Sequence, residues 1–289
     1  MLSVVVCTRD RNELLARCLE ALASQKGSFE VLIVDQGDSP ASIPSNPRFR
    51  LISNHVRGLA TARNTGVYAA LGNVIAFLDD DSIPDPGYVR AVEKVFDENR
   101  DLAAMGGRIV TLEDRRPYAR VQDDKFRILG RSDWLRFMGG NFAIRREVAD
   151  EVGPFDERFG AGCRWASGEE TDYFFRLLYQ NCRIAYEPTA IVRHPQEAVD
   201  AAPRELRTKL LAYARGQGAV IARHLIDFSN YRMIGSLFWT VAKPCLRTVQ
   251  YILILNLRKA FLHATVAFGK CMGFAEFLQT IYRQRRNAC

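Results

Sequence analysis

The chain has 289 residues, of which 48% are hydrophobic and 25% charged, which is typical of a globular protein and unlike a disordered or fibrous chain. Its length suits one large α/β domain with a sizeable core, or such a domain with an appendage. Seven scattered cysteines without a C-x-x-C pair argue against a disulfide framework or a cysteine zinc site. With no leader segment ahead of the first strand, we expect a cytoplasmic protein.

Charge is unevenly distributed along the chain. Residues 203–289 hold 14 Lys and Arg against three acids, a net charge of +11, whereas residues 1–202 carry a net charge of −4. The sequence therefore predicts two parts. They are a mildly acidic body over residues 1–202 and a basic helical tail over residues 203–289.

The body alternates strand and helix patterns. We predict strands at 2–7, 30–34, 50–53, 74–78, 103–112 and 183–186, and helices at 14–23, 61–71, 88–99 and 171–180. Strands that alternate with helices favour a mostly parallel sheet flanked by helices. Because such a sheet binds ligands at the carboxyl ends of its strands, we expect the loops that follow them to form the site.

The strand at 74–78 brings three consecutive carboxylates, Asp79, Asp80 and Asp81, to that edge of the sheet. Alternate acids in this run, Asp79 and Asp81, can present oxygen ligands to Mg²⁺ or Mn²⁺. Taken alone, the run is equally compatible with a solvated acidic turn. The surrounding loops decide between the two interpretations.

Further polar loops follow one another in a fixed order over the first 200 residues. They lie at 8–11, 35–38, 58–66, 79–82, 139–141, 168–172 and 193–195. In this order they resemble those of a family 2 glycosyltransferase, an inverting enzyme of the GT-A fold. The resemblance implies an α/β GT-A domain that moves a hexose or deoxyhexose from a nucleoside-diphosphate sugar to a hydroxyl acceptor.

The same resemblance implies roles for individual residues. Asp79 and Asp81 would hold a divalent cation that bridges the donor phosphates, with His194 as a further ligand. Arg63 suits a bidentate phosphate contact at a helix start. Ordinary alternatives remain open: a turn at 35–39, a helix N-terminus at 11–13, a solvated Arg63 and a packed His194. The predicted nucleotide-sugar contacts are Thr8, Arg11, Asp35, Arg63, Asp79, Asp80 and Asn141.

The catalytic base is expected at the pair Glu169-Glu170, where the family usually has Glu-Asp. The extra methylene moves the carboxylate by ~1.5 Å and still permits general-base chemistry, and Glu170 is preferred over Glu169. Ser167-x-x-Glu170 also matches a capping box, in which Glu170 would hold a helix N-terminus. Trp165 is compatible with stacking on a sugar and with core packing.

The basic tail contains three uncharged runs, 233–242, 248–257 and 260–269, each bracketed by Lys or Arg. A helix needs ~20 apolar residues to span a bilayer, so these runs predict helices lying on the anionic inner face of the cell membrane. A soluble helical cap or a homo-oligomer interface is the alternative. No nucleic-acid-binding module is recognisable.

The sequence therefore predicts a metal-dependent inverting glycosyltransferase acting on a glycan or lipid-linked acceptor of cell-surface glycan synthesis. A nucleotidyltransferase on the same kind of sheet is one alternative, and it would release pyrophosphate. A catalytically silent, membrane-attached scaffold is the other. The retained acids at positions 79, 81 and 170 argue against the scaffold.

Overall fold

The structure, a computed structural model, describes residues 1–119, 121–195, 203–230 and 232–287. It divides the chain into a sheet unit, Met1–Asp156 with Glu169–Glu197, and a helical unit, Glu157–Gly168 with Ala198–Cys289. The loop Glu157–Gly168, which the sequence assigned to the body, is thus grouped with the helices. The predicted boundary between residues 202 and 203 adjoins the segment 196–202, which lies outside the described residues.

The sheet unit alternates strands and helices in the predicted rhythm. Its strands are β1 (Leu2–Thr8), β2 (Phe29–Asp35), β3 (Phe49–Ser53), β4 (Val74–Asp79), β5 (Ile83–Pro84), β6 (Leu102–Thr111), β7 (Arg127–Ile128), β8 (Asn141–Arg145) and β9 (Arg183–His194). Its helices are α1 (Asn12–Ala23), α2 (Leu59–Ala69), α3 (Tyr88–Glu98), α4 (Arg146–Val152) and α5 (Glu169–Tyr179), with a 3₁₀ turn at Arg131–Arg136. Every predicted element of this unit is present, and all except the last strand end within two residues of the predicted positions.

The strands form one mixed sheet in the order β3-β2-β1-β4-β8-β6-β9-β5, and β7 pairs with β9. Strands β1 to β4 run parallel, as do β6 and β9, while β8 lies antiparallel between β4 and β6. Because β8 is antiparallel, its first residue, Asn141, lies beside Leu78 near the end of β4. The ends of β1, β2, β4 and β9 and the start of β8 therefore share one edge of the sheet.

Strand β9 is longer than the predicted strand at 183–186. It continues past Pro188 to His194, and its register against β6 shifts between Gly107 and Arg108. Proline cannot donate a ladder hydrogen bond, and an irregularity of this kind accommodates it. The extension carries His194 to the edge where β4 ends.

Apolar side chains cover both faces of the sheet. One face packs against α1 and α3. On the other face aromatic rings stack in succession, with centroids 4.6 Å apart for Phe77 and Phe142 and 4.3 Å apart for Phe155 and Tyr173. Stacked rings of this kind favour one relative position of β4, β8 and α5, which are the elements that carry the candidate site.

The helical unit contains α6 (Pro203–Ile226), α7 (Arg232–Leu253) and α8 (Leu257–Asn287). These helices do not follow the uncharged runs of the sequence. Helix α7 continues through Lys243 and Pro244, and the run at 260–269 lies inside α8. Among the described residues, no helix combines the length and apolarity that a bilayer crossing requires.

Trp165 belongs to the helical unit. It is fully buried, and its ring packs against Phe159 and Phe277 with centroids 5.2 Å and 5.1 Å away. This placement favours core packing over stacking on a sugar, because a buried indole has no open face to offer a ligand.

Candidate active site

Two acids and a histidine from distant parts of the chain meet at the shared edge of the sheet. Asp79 is the last residue of β4, Asp81 lies in the turn that follows this strand, and His194 is the last residue of β9. One ligand atom from each of the three lies within 4.8 Å of the others. Among the described residues this is the one cluster of His, Cys, Asp or Glu side chains with such a geometry.

The orientation of the His194 ring is fixed by a backbone carbonyl. Its Nδ1 lies 2.8 Å from the carbonyl oxygen of Pro195, and since a carbonyl can only accept, Nδ1 carries a proton. In a neutral imidazole Nε2 is then a lone-pair donor. Nε2 faces Asp81 Oδ1 at 3.0 Å, so either a proton or a cation is needed between these two atoms.

The pKa values in the cluster follow from this geometry. Burial acts to raise the pKa of Asp81, but the hydrogen bonds and charges of His194 and Arg11 prevail and lower it to about 2. Burial acts to lower the pKa of His194, but the contact with Asp81 outweighs it, and the pKa is raised. Burial raises the pKa of Asp79 against the opposing charge of Arg63. The cluster is therefore an anionic site that stabilises positive charge.

Such a donor set fits a divalent metal ion. Asp81 Oδ1 is buried and lacks a hydrogen-bond donor unless His194 Nε2 is protonated. Carboxylate oxygens suit Mg²⁺ and Mn²⁺, and an imidazole nitrogen is an accepted ligand of the softer of these ions. The Pro195 carbonyl would orient the imidazole as such outer contacts commonly do for metal-bound histidines.

Asp80, the middle acid of the three, lies outside the cluster of Asp79, Asp81 and His194. Its carboxylate accepts hydrogen bonds from Thr8 Oγ1 at 2.8 Å and from Arg11 Nη1 at 2.6 Å, and Arg11 also reaches Asp81 at 2.6 Å. Burial raises the pKa of Asp80 to about 6 against these contacts. Thr8 and Arg11 thus tie the end of β1 to the Asp-rich loop.

Arg63 was predicted to contact a donor phosphate, but the structure buries its guanidinium within the protein. It donates to Glu169 Oε1 at 2.7 Å and to the carbonyl oxygen of Gly139 at 3.0 Å, and it lies 3.7 Å from Asp79 Oδ1. Only 2% of the residue is exposed. These contacts occupy the guanidinium, which links the Asp79 carboxylate to Glu169 in the expected base region.

Removing Arg63 is expected to destabilise the protein strongly. Arg63→Met leaves the Glu169 carboxylate buried without its cation, which typically costs about 3–5 kcal/mol of the free energy of unfolding. The double variant Arg63→Met/Glu169→Gln should recover most of the loss, because no unpaired charge remains buried. Urea unfolding measures both. The control Arg183→Met removes an exposed ion pair with Asp101 and should cost little stability. An equally small loss in Arg63→Met would contradict the assignment.

The two predicted base candidates differ in their contacts. Glu169 is buried and ion-paired with Arg63, and its second oxygen, Oε2, lacks a partner. Glu170 accepts a hydrogen bond from the Thr171 hydroxyl at 3.1 Å, and burial together with the neighbouring Glu169 raises its pKa. A carboxylate with a raised pKa is the stronger base, and Glu170 has this property.

The capping-box interpretation of Ser167 and Glu170 does not match the helix start. Helix α5 begins at Glu169, and Gly168 before it has a φ of +100°, so the box would be out of register by one residue. The Ser167 hydroxyl instead donates to the carbonyl oxygen of Tyr213 at 3.0 Å, within the helical unit.

The glycines at 139–140 permit close approach by two charged side chains. A Cβ on Gly140 would lie 2.7 Å from Asp79 Oδ2, and a Cβ on Gly139 would lie 2.9 Å from Arg63 Nη2. Asn141, by contrast, was predicted to contact the donor and is fully buried. Its amide nitrogen donates to the carbonyl oxygens of Arg108 and Ala190 at 3.0 Å and 2.8 Å, and these contacts connect the start of β8 to neighbouring strands.

Asp35 is also occupied by backbone contacts. Its two carboxylate oxygens accept hydrogen bonds from the N–H groups of Gly37 and Ala41 at 2.8 Å and 2.7 Å, and it is buried. The turn at 35–39 that the sequence left open is therefore present. It shapes the loop after β2 at the same edge of the sheet as the cluster of Asp79, Asp81 and His194.

Two contributors to the site lie outside the predicted set. Tyr118 packs edge-on against His194 with ring centroids 5.1 Å apart, and the Gly139 carbonyl oxygen accepts a hydrogen bond from Arg63. Tyr118 belongs to a loop without a motif, so a single sequence gives no signal for it. The contact of Gly139 is made by its backbone, which sequence composition does not encode.

The fold and the edge cluster define a unit of the GT-A glycosyltransferase class. The model of the family "Glycosyl transferase family 2" matches residues 3–153, and the chain therefore belongs to that family. This confirms the predicted family and fold.

Curated relatives and solved structures agree with this membership. The pre-mycofactocin glycosyltransferase of Mycobacterium tuberculosis is 28% identical over 66% of this chain, and the glucosyl-dolichyl phosphate glucuronosyltransferase of Haloferax volcanii is 25% identical, also over 66%. The chain spans only 42% of the former's length and 68% of the latter's. A mannosyltransferase from Pyrobaculum calidifontis, solved in complex with GDP-Man and Mn²⁺, has the same fold, with a TM-score of 0.62 at 16% identity, covering 93% of this chain and 86% of its own.

Proposed function

We propose that the sheet unit is a divalent-metal-dependent, inverting glycosyltransferase. It would move a hexose or deoxyhexose from a nucleoside-diphosphate sugar to a hydroxyl acceptor. The observation that carries this proposal is the Asp79–Asp81–His194 cluster, linked through Arg63 to the Glu169-Glu170 pair. A cation site and a basic carboxylate together would supply both halves of a one-step displacement.

In the proposed reaction Asp79, Asp81 and His194 would hold a Mg²⁺ or Mn²⁺ ion. Such an ion would supply charge stabilisation for the departing nucleoside diphosphate when bound. Thr8 and Arg11 keep the Asp-rich loop in place by their contacts with Asp80 and Asp81. Arg63 fixes the distance between the donor side of the site and the base.

Glu170 accepts the proton of the acceptor hydroxyl as its oxygen attacks the anomeric carbon. The new C–O bond forms on the face opposite the leaving group while the bond to the diphosphate oxygen breaks, so the configuration inverts. No covalent intermediate with the protein is needed. Glu169 is engaged in its ion pair with Arg63, and the raised pKa of Glu170 makes Glu170 suitable as the base.

The acceptor proposed is a glycan or lipid-linked intermediate of cell-surface glycan synthesis. The name of the haloarchaeal relative includes a dolichyl phosphate, which supports a lipid-linked acceptor. We further propose the division into a catalytic domain at 1–202 and a basic region at 203–289 that attaches the protein to the anionic inner face of the cell membrane. A homo-oligomer interface remains the alternative for that region.

The proposal is tested by donor turnover with Mn²⁺ and with a chelator. A panel of nucleoside-diphosphate sugars is incubated with the full chain, and the released nucleotide is identified by chromatography. Release of a nucleoside diphosphate only in the presence of metal supports a glycosyltransferase. Pyrophosphate release would indicate a nucleotidyltransferase, and the absence of metal-dependent turnover with every donor would favour a silent scaffold.

His194 is expected to make Mn²⁺ binding dependent on pH. The imidazole must lose its proton to bind a metal, and its pKa is raised, so Mn²⁺ affinity should rise with pH through and above the usual histidine range. His194→Ala should lower the affinity at least about tenfold and flatten this dependence. Calorimetry in two buffers of different ionisation enthalpy measures both effects.

The matched control is His55→Ala, which removes an exposed histidine from the loop after β3. It should leave the Mn²⁺ affinity and its pH dependence unchanged. An unaltered titration in His194→Ala would remove His194 from the proposed ligand set.

A further inference from the structure

Large apolar side chains are exposed at the turn between α7 and α8. Five of them lie within six consecutive positions, and each is 50–85% exposed. We define the tip surface by these residues: Ile252, Leu253, Ile254, Leu255 and Leu257. Contiguous exposed apolar residues of this size mark an interaction site.

Further exposed apolar residues continue from the tip along both helices. They are Phe238, Trp239, Leu246, Val249, Phe261 and Phe268. Exposed aromatic residues along helices that flank an apolar turn are typical of segments that lie at the boundary between lipid headgroups and acyl chains.

Three backbone N–H groups at the tip are paired within the hairpin. The N–H groups of Ile254, Leu255 and Asn256 donate to the carbonyl oxygens of Gln250, Ile252 and Tyr251, respectively. Asn256 Oδ1 accepts from the N–H of Lys259 and so caps the start of α8. Because unpaired backbone donors are costly in hydrocarbon, this pairing lowers the cost of moving the tip into an apolar phase.

The hairpin is held together close to its tip. Thr248 Oγ1 approaches the carbonyl oxygen of Ala260 at 3.5 Å, and the rings of Tyr251 and His263 stack with centroids 5.3 Å apart. Farther along, α8 packs so closely on α6 that a Cβ on Gly273 would lie 1.9 Å from the Arg215 carbonyl oxygen. A preformed hairpin has little ordering entropy to lose on binding.

Charge around the tip has a single sign. From Phe228 to Ala275 the chain contains no Asp or Glu, and it contains six Lys and Arg. Three of these, Arg247, Arg258 and Lys259, flank the tip directly. Two copies of this surface facing each other would bring like charges together, whereas an anionic partner would be attracted.

We propose that the tip surface inserts into the headgroup–acyl boundary of an anionic bilayer, with Arg247, Arg258 and Lys259 contacting the lipid phosphates. This deepens the membrane attachment proposed above by assigning it to one hairpin turn, and it does not depend on the chemistry of sugar transfer. Exposed apolar residues account for insertion, and the basic residues account for the preference for anionic lipid.

The test is vesicle flotation of the full chain with two lipid compositions, pure phosphatidylcholine and phosphatidylcholine with phosphatidylglycerol. The parent protein should float with the anionic vesicles. Leu253→Ser/Leu255→Ser should lower its partition about tenfold or more, because two apolar side chains are lost from the inserted surface. Arg258→Glu/Lys259→Glu should lower the partition more, since each basic residue near an anionic surface strengthens membrane binding about fivefold.

Matched controls carry equivalent changes in the sheet unit. Tyr68→Ser/Leu71→Ser removes exposed apolar residues, and Arg90→Glu/Lys94→Glu reverses exposed charges. Both should float like the parent. Metal-dependent donor turnover, measured in solution, should be the same in all five proteins, which separates this inference from the proposed function.

Insertion itself is measured with Leu253→Trp. Its fluorescence should shift to the blue and be quenched by lipids brominated on their acyl chains, whereas Leu71→Trp should show neither effect. Flotation of the two tip variants at the parent level would overturn the proposal. So would a dimer in solution that the Leu253→Ser/Leu255→Ser variant dissociates, because the tip would then be an interface between copies of the chain.

Discussion

Replacing Asp81 with alanine is expected to abolish sugar transfer, with a loss of about 1,000-fold or more in turnover. Asp81 contributes a carboxylate to the proposed cation site, and this carboxylate contacts both His194 and Arg11. Without it, two of the three proposed ligands remain and the His194 Nε2 loses its partner. Turnover of a nucleoside-diphosphate sugar at saturating Mn²⁺, together with Mn²⁺ affinity by calorimetry, measures the effect.

Two further variants make this result specific. Asp81→Asn keeps the shape of the side chain and removes its charge, and it should be nearly as inactive as Asp81→Ala. Asp101→Ala removes an exposed carboxylate at the start of β6, at the opposite end of the sheet, and should retain full activity. Activity of Asp81→Ala within a few-fold of the parent would contradict a metal role for this residue.

Replacing Glu170 with glutamine is expected to keep donor binding and nearly eliminate transfer. Loss of a general base typically costs about 10²–10⁴-fold in rate. Because the pKa of Glu170 is raised, transfer by the parent should increase with pH above the ordinary carboxyl range, and the residual activity of Glu170→Gln should lack this increase. Donor affinity is followed by calorimetry, and transfer by product formation across a pH series.

The same variant is expected to be more stable than the parent at alkaline pH. A buried carboxyl group with a raised pKa resists ionisation in the folded state, so stability falls as pH rises from the unfolded to the folded pKa. Glutamine resembles the neutral form, and Glu170→Gln should unfold at a higher temperature at about pH 8 and at nearly the parent temperature at about pH 5. Unchanged transfer in this variant would move the base to Glu169, for which Glu169→Gln is the companion variant.

The alternating architecture of the sheet unit could be predicted from the sequence because each buried strand is a short apolar run that ends in polar residues. Strand β8 could not. Its five residues, Asn141–Arg145, follow a glycine pair and lead directly into α4 at Arg146, and the strand runs antiparallel between β4 and β6. An inserted antiparallel strand is defined by its neighbours in the sheet, which local periodicity does not record.

The candidate site was predicted unevenly for a related reason. Residues that end strands, such as Asp79, reach the edge of the sheet whatever their partners are, so strand positions suffice to place them. Arg63 and Asn141 differ because their partners lie far away in sequence. Glu169 is 106 residues from Arg63, and the Ala190 carbonyl is 49 residues from Asn141. The sequence alone does not record that these tertiary contacts already engage both side chains in this structure.

The paired glycines at 139–140 set a limit on engineering this protein. A methyl group at either position would collide with Asp79 or Arg63, so one small side chain there would displace the carboxylate and the guanidinium that join the two halves of the site. Libraries intended to broaden the range of sugars accepted should therefore leave these two codons untouched. The loops after β1 and β3 offer exposed positions such as Arg9 and His55, where substitutions should have little effect on stability.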